Sequence, residues 1–291
     1  MILITGAGGQ VGCAVIAALK KKGLETRALI HNSQMRDRVL TAGAAEVIEA
    51  DMEKEADLQR AFEGIQAVYH IAPAAHPHEE EIGKLVLKAA SADPSIYFVY
   101  HSVLHSVLYD LPHHRQKLHM EGHVVESGLS YTIVQPAVFM QMLAPAVSAL
   151  TGGSVFPQKF FTGPHTQMNL VNLEDAAAAV AEMFASPAYR NATFELCGPQ
   201  NISLADLTED LSAVTGKKVE SSFISDEAFL KASHAEAESY QGKTLLAMFA
   251  HYNAHSFRGN DYILRSILGH TPTDLRTFLK TLWEKAVHPA T

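Results

Sequence analysis

The chain has 291 residues, of which 47% are hydrophobic, so it can bury a sizeable core and is not a disordered segment. Its net charge of −8 argues against a nucleic-acid-binding face, and two cysteines, Cys13 and Cys197, are too few for a disulfide framework. The apolar start meets Gly6 well short of a secretory leader and no apolar stretch is long enough to span a bilayer, so a cytoplasmic protein with neither membrane nor nucleic acid as partner is expected.

Taken in chain order, residues 2–5 predict a strand. Val11, Val15, Ala18 and Leu19 then share one helical face, and Gly23 stands where that helix should stop. Residues 26–30, 46–48, 67–71, 96–100 and 132–134 predict further strands. Helices fall between them, with Leu58 and Phe62 on one face and Ile82, Leu85 and Ala89 on another. Such alternation predicts an α/β chain: a Rossmann-type doubly wound parallel sheet with right-handed crossovers. Past residue 150 the rhythm breaks at Gly152, Gly153, Pro157, Gly163 and Pro164. A strand at 169–171, a helix at 173–184 and a strand at 193–196 follow. Beyond Gly198 the pattern is largely helical, with Ser203 and Asp206 as a capping pair for a helix running to Thr215 and residues 280–286 in the last helix. The expected organisation is a dinucleotide-binding core at 1–150, completed by elements within 168–197. A smaller, mainly helical C-terminal lobe for substrate or partner would occupy 198–291.

The segment Thr5-Gly6-Ala7-Gly8-Gly9-Gln10-Val11-Gly12 closes a strand and opens a helix. Gly6 permits the tight turn, Gly9 lets backbone approach a pyrophosphate, and Gly12 lets helix pack on strand. The helix start offers free N–H groups and a positive partial charge, so Thr5, Gly8, Gln10 and Val11 join the glycines as cofactor-site candidates. At the end of the second strand no acid is present to accept from a ribose 2′-hydroxyl. His31, Asn32, Ser33, Arg36 and Arg38 stand there instead and suit a 2′-phosphate, so NADP(H) is favoured over NAD(H). Asp51 and Met52, after the third strand, are expected to border the adenine, or Asp51 simply caps the helix that follows.

With these glycines, several segments resemble the atypical short-chain dehydrogenases of the NmrA-like group, which includes NADP-sensing regulators, quinone reductases and triphenylmethane-dye reductases. They are Val68-Tyr69-His70-Ile71-Ala72-Pro73, His101-Ser102-Val103, Leu111-Pro112-His113-His114 with Lys117, and Ser130-Tyr131-Thr132-Ile133-Val134-Gln135-Pro136. Phe257-Arg258-Gly259-Asn260 and Leu268-Gly269 complete the set. The resemblance aligns Lys117 with the lysine that binds the nicotinamide ribose and Ser102 with the serine that holds the carbonyl. Ala72, Pro73 and Pro136, at the carboxyl ends of predicted strands where ligands bind, are further candidates to meet the cofactor. The proton-donating tyrosine, four residues before the lysine, is replaced by His113. His113 is then a proton donor, a pocket wall or a helix-start residue; Tyr109 is a fallback donor.

Sixteen histidines are many for this length, and six lie between His101 and His123. His119 and His123 are spaced for a helical ligand pair, but no third ligand stands near them, so no metal is expected. Beyond the strand ends, Ala74, Leu104, Phe139 and Met140 are apolar and predict a pocket for a flat conjugated molecule, with Phe139 and Met140 equally readable as core. Three functions stay open. One is an NAD(P)H-dependent reductase of a quinone or other aromatic acceptor. Another is a non-catalytic NADP(H) sensor with a protein partner, and the last is a biosynthetic enzyme acting on an aromatic polyketide.

Overall fold

A computed structural model describes residues 1–159 and 166–288, so Gly163 and Pro164 lie outside the described residues. The chain divides into two compact units, Met1–Pro136 with Leu173–Glu195, and Ala137–Asn172 with Leu196–Thr291.

The first unit alternates strand and helix: β1 (Ile2–Ile4), α1 (Gln10–Lys21), β2 (Thr26–Ile30), α2 (Arg36–Ala42), β3 (Glu46–Glu49), α3 (Glu55–Phe62), β4 (Ala67–His70), α4 (Glu79–Ala90), β5 (Tyr97–His101), α5 (Pro112–Glu126) and β6 (Ser130–Pro136). The strands pair in the order β6-β5-β4-β1-β2-β3, all parallel, and Ala192–Leu196 adds a seventh strand beside β6. The order reverses at β1 and β4, and that crevice at the strand ends is where doubly wound sheets bind ligands. Both faces are covered, which is why the strands read as apolar runs rather than alternating ones. Leu3, Val68, Phe98 and Ile133 meet Leu58, Phe62, Val86, Met120 and Val124 of α3, α4 and α5 in one buried cluster. On the other face α1 packs against α2 and against the helix Leu173–Ala185. Alanines 176, 177, 179 and 181 of that helix are buried, and their small side chains allow a close approach.

The second unit has two small sheets. Asn201–Ile202, Met168–Val171 and Val138–Phe139 form one, and Glu220–Phe223 pairs in parallel with Val155–Gln158 in the other. Helices Ala144–Ala149, Leu204–Thr215, Asp226–Ala232, Tyr240–His255, Tyr262–Leu268 and Leu275–Val287 make up most of the remainder. The capping pair is in place: Ser203 Oγ accepts from the Asp206 N–H at 3.2 Å and Asp206 Oδ2 from the Ser203 N–H at 2.8 Å.

The boundary departs from the sequence expectation in two places. Residues 137–150 cluster with the second unit rather than the core, and the strand predicted at 169–171 joins the small three-stranded sheet instead of the large one. Local propensity identifies a strand but not its pairing partner, which tertiary contacts select.

Candidate functional site

The turn between β1 and α1 is shaped by close backbone approach. Gly6 has φ +58°, a left-handed value that favours glycine, and a β-carbon there would meet the Ile71 carbonyl at 3.0 Å. At Gly12 a β-carbon would stand 2.5 Å from Ala7 Cα. Gly9 is the N-cap of α1 and has no side chain to cap the helix. The first N–H groups of α1 have no intrahelical acceptors, so they face the turn as donors with the helix dipole behind them. A turn of this kind can hold a phosphate, and Gly8, Gly9, Gln10 and Val11 are its consecutive residues. Thr5 is buried, and its Oγ1 is engaged with Ile71 N at 2.9 Å, the Ile71 carbonyl at 3.1 Å and His70 Nδ1 at 2.9 Å. It therefore ties the turn to the end of β4 rather than facing a ligand. Ala72 and Pro73 follow β4 half-buried, and Ala74 is exposed.

At the far end of the crevice His31 is exposed after β2. Asn32 Oδ1 accepts from the Gln34 N–H at 2.9 Å, so this side chain shapes the turn. Arg36 and Arg38 are exposed and form no ion pair among the described residues. Asp51 Oδ1 accepts from the Glu53 N–H at 3.0 Å, and this bond, with Lys54 3.1 Å from Oδ2, holds its carboxyl below the ordinary range. Met52 packs against the core cluster. His31, Ala50, Asp51 and Lys54 line an open depression here.

The third part of the site lies where β5 ends and α5 begins. Lys117 Nζ stands 2.7 Å from Glu79 Oε1, off the line of a well-directed hydrogen bond, and donates to the His101 carbonyl at 3.2 Å. Tyr69 shares a 2.6 Å hydrogen bond with His101 Nδ1. Ser102 is buried and its hydroxyl donates to Glu121, which also receives Ser106 at 3.1 Å and Gln135 at 2.8 Å. His113 begins α5, edge-on to the buried His114 at 4.4 Å. Its Nδ1 is buried without a partner. Burial, reinforced by His114 and Lys117, lowers the His113 pKa to about 3; burial likewise holds His70 and His101 at about 3, with Lys117 contributing to both. All three are neutral imidazoles in neutral solution. At His113 the imidazolium form is therefore not the one populated in neutral solution, and the donor that the side chain retains is the N–H of a neutral ring. Tyr109 is 54% exposed, under the Arg115 guanidinium at 5.4 Å, and has no place in this cluster.

Several candidates fall elsewhere. Leu104 is fully buried, so its side chain is not free to meet a ligand, and its N–H donates to the Pro136 carbonyl at 2.9 Å. Met140 is likewise buried, the core alternative rather than the pocket one, while Phe139 is only half-buried. His119 Nδ1 and His123 Nε2 both meet the Glu80 carboxylate, at 3.0 and 3.1 Å, and no metal-holding cluster exists among the described residues. Glu79, Glu121, His70 and His101 were not singled out as site residues. An acidic run at 79–81 reads as an ordinary helix start, and its approach to Lys117 is a contact between two helices that carries no local signal.

A family model described as the NmrA-like family matches residues 1–279. An NAD(P)H azoreductase of Xenophilus azovorans is 25% identical over 224 residues, 75% of each chain. A quinone oxidoreductase 2 of Escherichia coli is 27% identical over 237 residues, 80% of each. Among solved structures, Citrobacter sp. triphenylmethane reductase complexed with NADP(H) superposes with a TM-score of 0.81, at 22% identity, covering 97% of this chain and 100% of that one.

Proposed function

The chain belongs to the NmrA-like family, and from that premise we propose that it is an NAD(P)H-dependent oxidoreductase passing hydride to a quinone or another conjugated aromatic acceptor, with NADP(H) the favoured cofactor. The observation that carries the reading is the cradle at Gly6, Gly9 and Gly12, where backbone occupies the space that side chains would need. The dinucleotide, when bound, supplies the hydride. The N–H groups at the start of α1 hold the pyrophosphate, and the unpaired Arg36 and Arg38 suit a 2′-phosphate. Lys117 takes the nicotinamide ribose.

The Ser102 hydroxyl already donates its hydrogen bond to Glu121, so toward a ligand it offers lone pairs and accepts rather than donates. His113, neutral, shapes the pocket. A reduced quinone oxygen then takes its proton from solvent, and no tyrosine is required. The relatives named as azoreductase and quinone oxidoreductase support acceptors of this conjugated class.

One observation favours a second reading, a non-catalytic NADP(H) sensor that signals through a protein partner. Ser102 and Lys117 are both engaged by carboxylates, and His113 is uncharged. Binding of all four nicotinamide forms, followed by NADPH and NADH oxidation against a panel of quinones and azo dyes, separates the two. We expect NADPH to bind more tightly than NADH and to be oxidised. Tight binding with no turnover on any acceptor selects the sensor, and NADH binding more tightly overturns the role given to Arg36 and Arg38.

A further inference from the structure

The Lys117–Glu79 pair lies inside the first unit. The Lys117 side chain is 14% exposed and that of Glu79 only 2%. Ions removed from water lose several kcal/mol of hydration each, and such a pair persists where each charge compensates the other. Glu79 also opens α4, where the helix dipole favours an anion. Among the described residues Lys117 forms no other ion pair. His70, His101 and His113 are neutral, Tyr100 presents its ring face 5.7 Å away, and the carboxylate of Glu121 is taken up by Ser102, Ser106 and Gln135.

We propose that Glu79 is a positioning residue that neutralises Lys117 and thereby sets the site's preference between oxidised and reduced dinucleotide. This rests on the reading of Lys117 as the contact of the nicotinamide ribose. The oxidised nicotinamide ring is a cation and the reduced ring is neutral. An uncompensated ammonium beside it penalises the oxidised form alone, whereas a Lys–Glu pair, with no net charge, penalises neither. Contacts that Lys117 makes to the ribose are common to both forms and cancel in a ratio of affinities.

The test is equilibrium titration of NADPH and NADP⁺ on the whole chain, read as the ratio Kd(NADP⁺)/Kd(NADPH). Glu79→Gln is expected to raise the ratio about tenfold, the order of a partly screened repulsion between two unit charges. Lys117→Met is expected to lower it, because the Glu79 anion is left to attract the oxidised ring. The double variant Glu79→Gln/Lys117→Met removes both charges and so restores neutrality, and it is expected to return the ratio to within about threefold of wild type. Should Glu79→Gln not fold, the Lys117→Met and double-variant arms still decide. Loss of affinity for both forms alike, with the ratio unmoved in every folded variant, overturns the proposal and leaves Glu79 a structural residue. A double variant whose ratio departs further from wild type than both singles overturns it as well. If the wild type binds neither dinucleotide, it is the cofactor reading that fails.

Discussion

At Gly12 the obstacle to a side chain is backbone, the Ala7 Cα 2.5 Å from where a β-carbon would stand, and backbone cannot rotate away as a side-chain end can. Gly12→Ala is therefore expected to cost about 1–3 kcal/mol of stability through overpacking and to weaken NADPH binding, both visible in a thermal melt run with and without cofactor. A melt and an affinity indistinguishable from wild type would contradict this account of the turn. Motif spacing made that glycine legible in the chain itself, because a strand–turn–helix with this spacing has few other uses. His113 is the opposite case. Its position was legible from its distance to Lys117, but its protonation was not, since burial around a side chain is set by neighbours far away in sequence. If the enzyme reading holds, His113→Ala should leave NADPH oxidation within about threefold of wild type, because the reduced acceptor then takes its proton from solvent. A loss of a hundredfold, with the fold intact, would return the donor role to it.

Between α4 and α5 one carboxylate gathers three cations or potential cations. Glu80 lies 2.7 Å from Lys84, 3.0 Å from His119 and 3.1 Å from His123, and its side chain is 17% exposed. Although burial alone would raise it, hydrogen bonds from Lys84, His123 and His119 lower its pKa to about 2. Glu80→Gln is expected to destabilise the fold by ~1 kcal/mol, a loss measurable by urea unfolding and smaller in high salt. An unchanged unfolding midpoint would mean that the two helices are joined by their apolar contacts alone. The helix Leu204–Thr215 shows the local extreme. Its capping box was readable from Ser203 and Asp206, and the structure ends the helix at Gly216, with φ +72°. Ser203→Ala should cost about 1 kcal/mol in a thermal melt.

Over the whole molecule, the buried histidines make stability depend on pH. His70, His101 and His113 have pKa values of about 3 against an ordinary 6.5. Between those values the unfolded chain binds more protons than the native one, so stability falls as pH drops from 6.5 toward 3. Glu80 adds a loss between its ordinary 4.5 and about 2, where lowering the pH removes a stabilising charge. The urea midpoint is thus expected to be lower at pH 5 than at pH 7, and His113→Asn should flatten part of that slope. A midpoint constant over the interval would argue against three neutral buried imidazoles. The chain alone determined the alternation of strand and helix, the doubly wound parallel sheet and the glycine cradle. Each of these follows from periodicity and backbone sterics within about ten neighbouring residues. Tertiary structure decided that residues 137–150 and 168–171 belong to the second unit and that Leu104 and Met140 are interior. It also decided that Glu79 and Glu121 engage Lys117 and Ser102. Those outcomes depend on which distant groups share a low-dielectric interior, and burial and charge compensation are properties of the packed chain rather than of any segment of it. The glycine turn needs only its own neighbours, whereas the charge state beside it needs the whole fold.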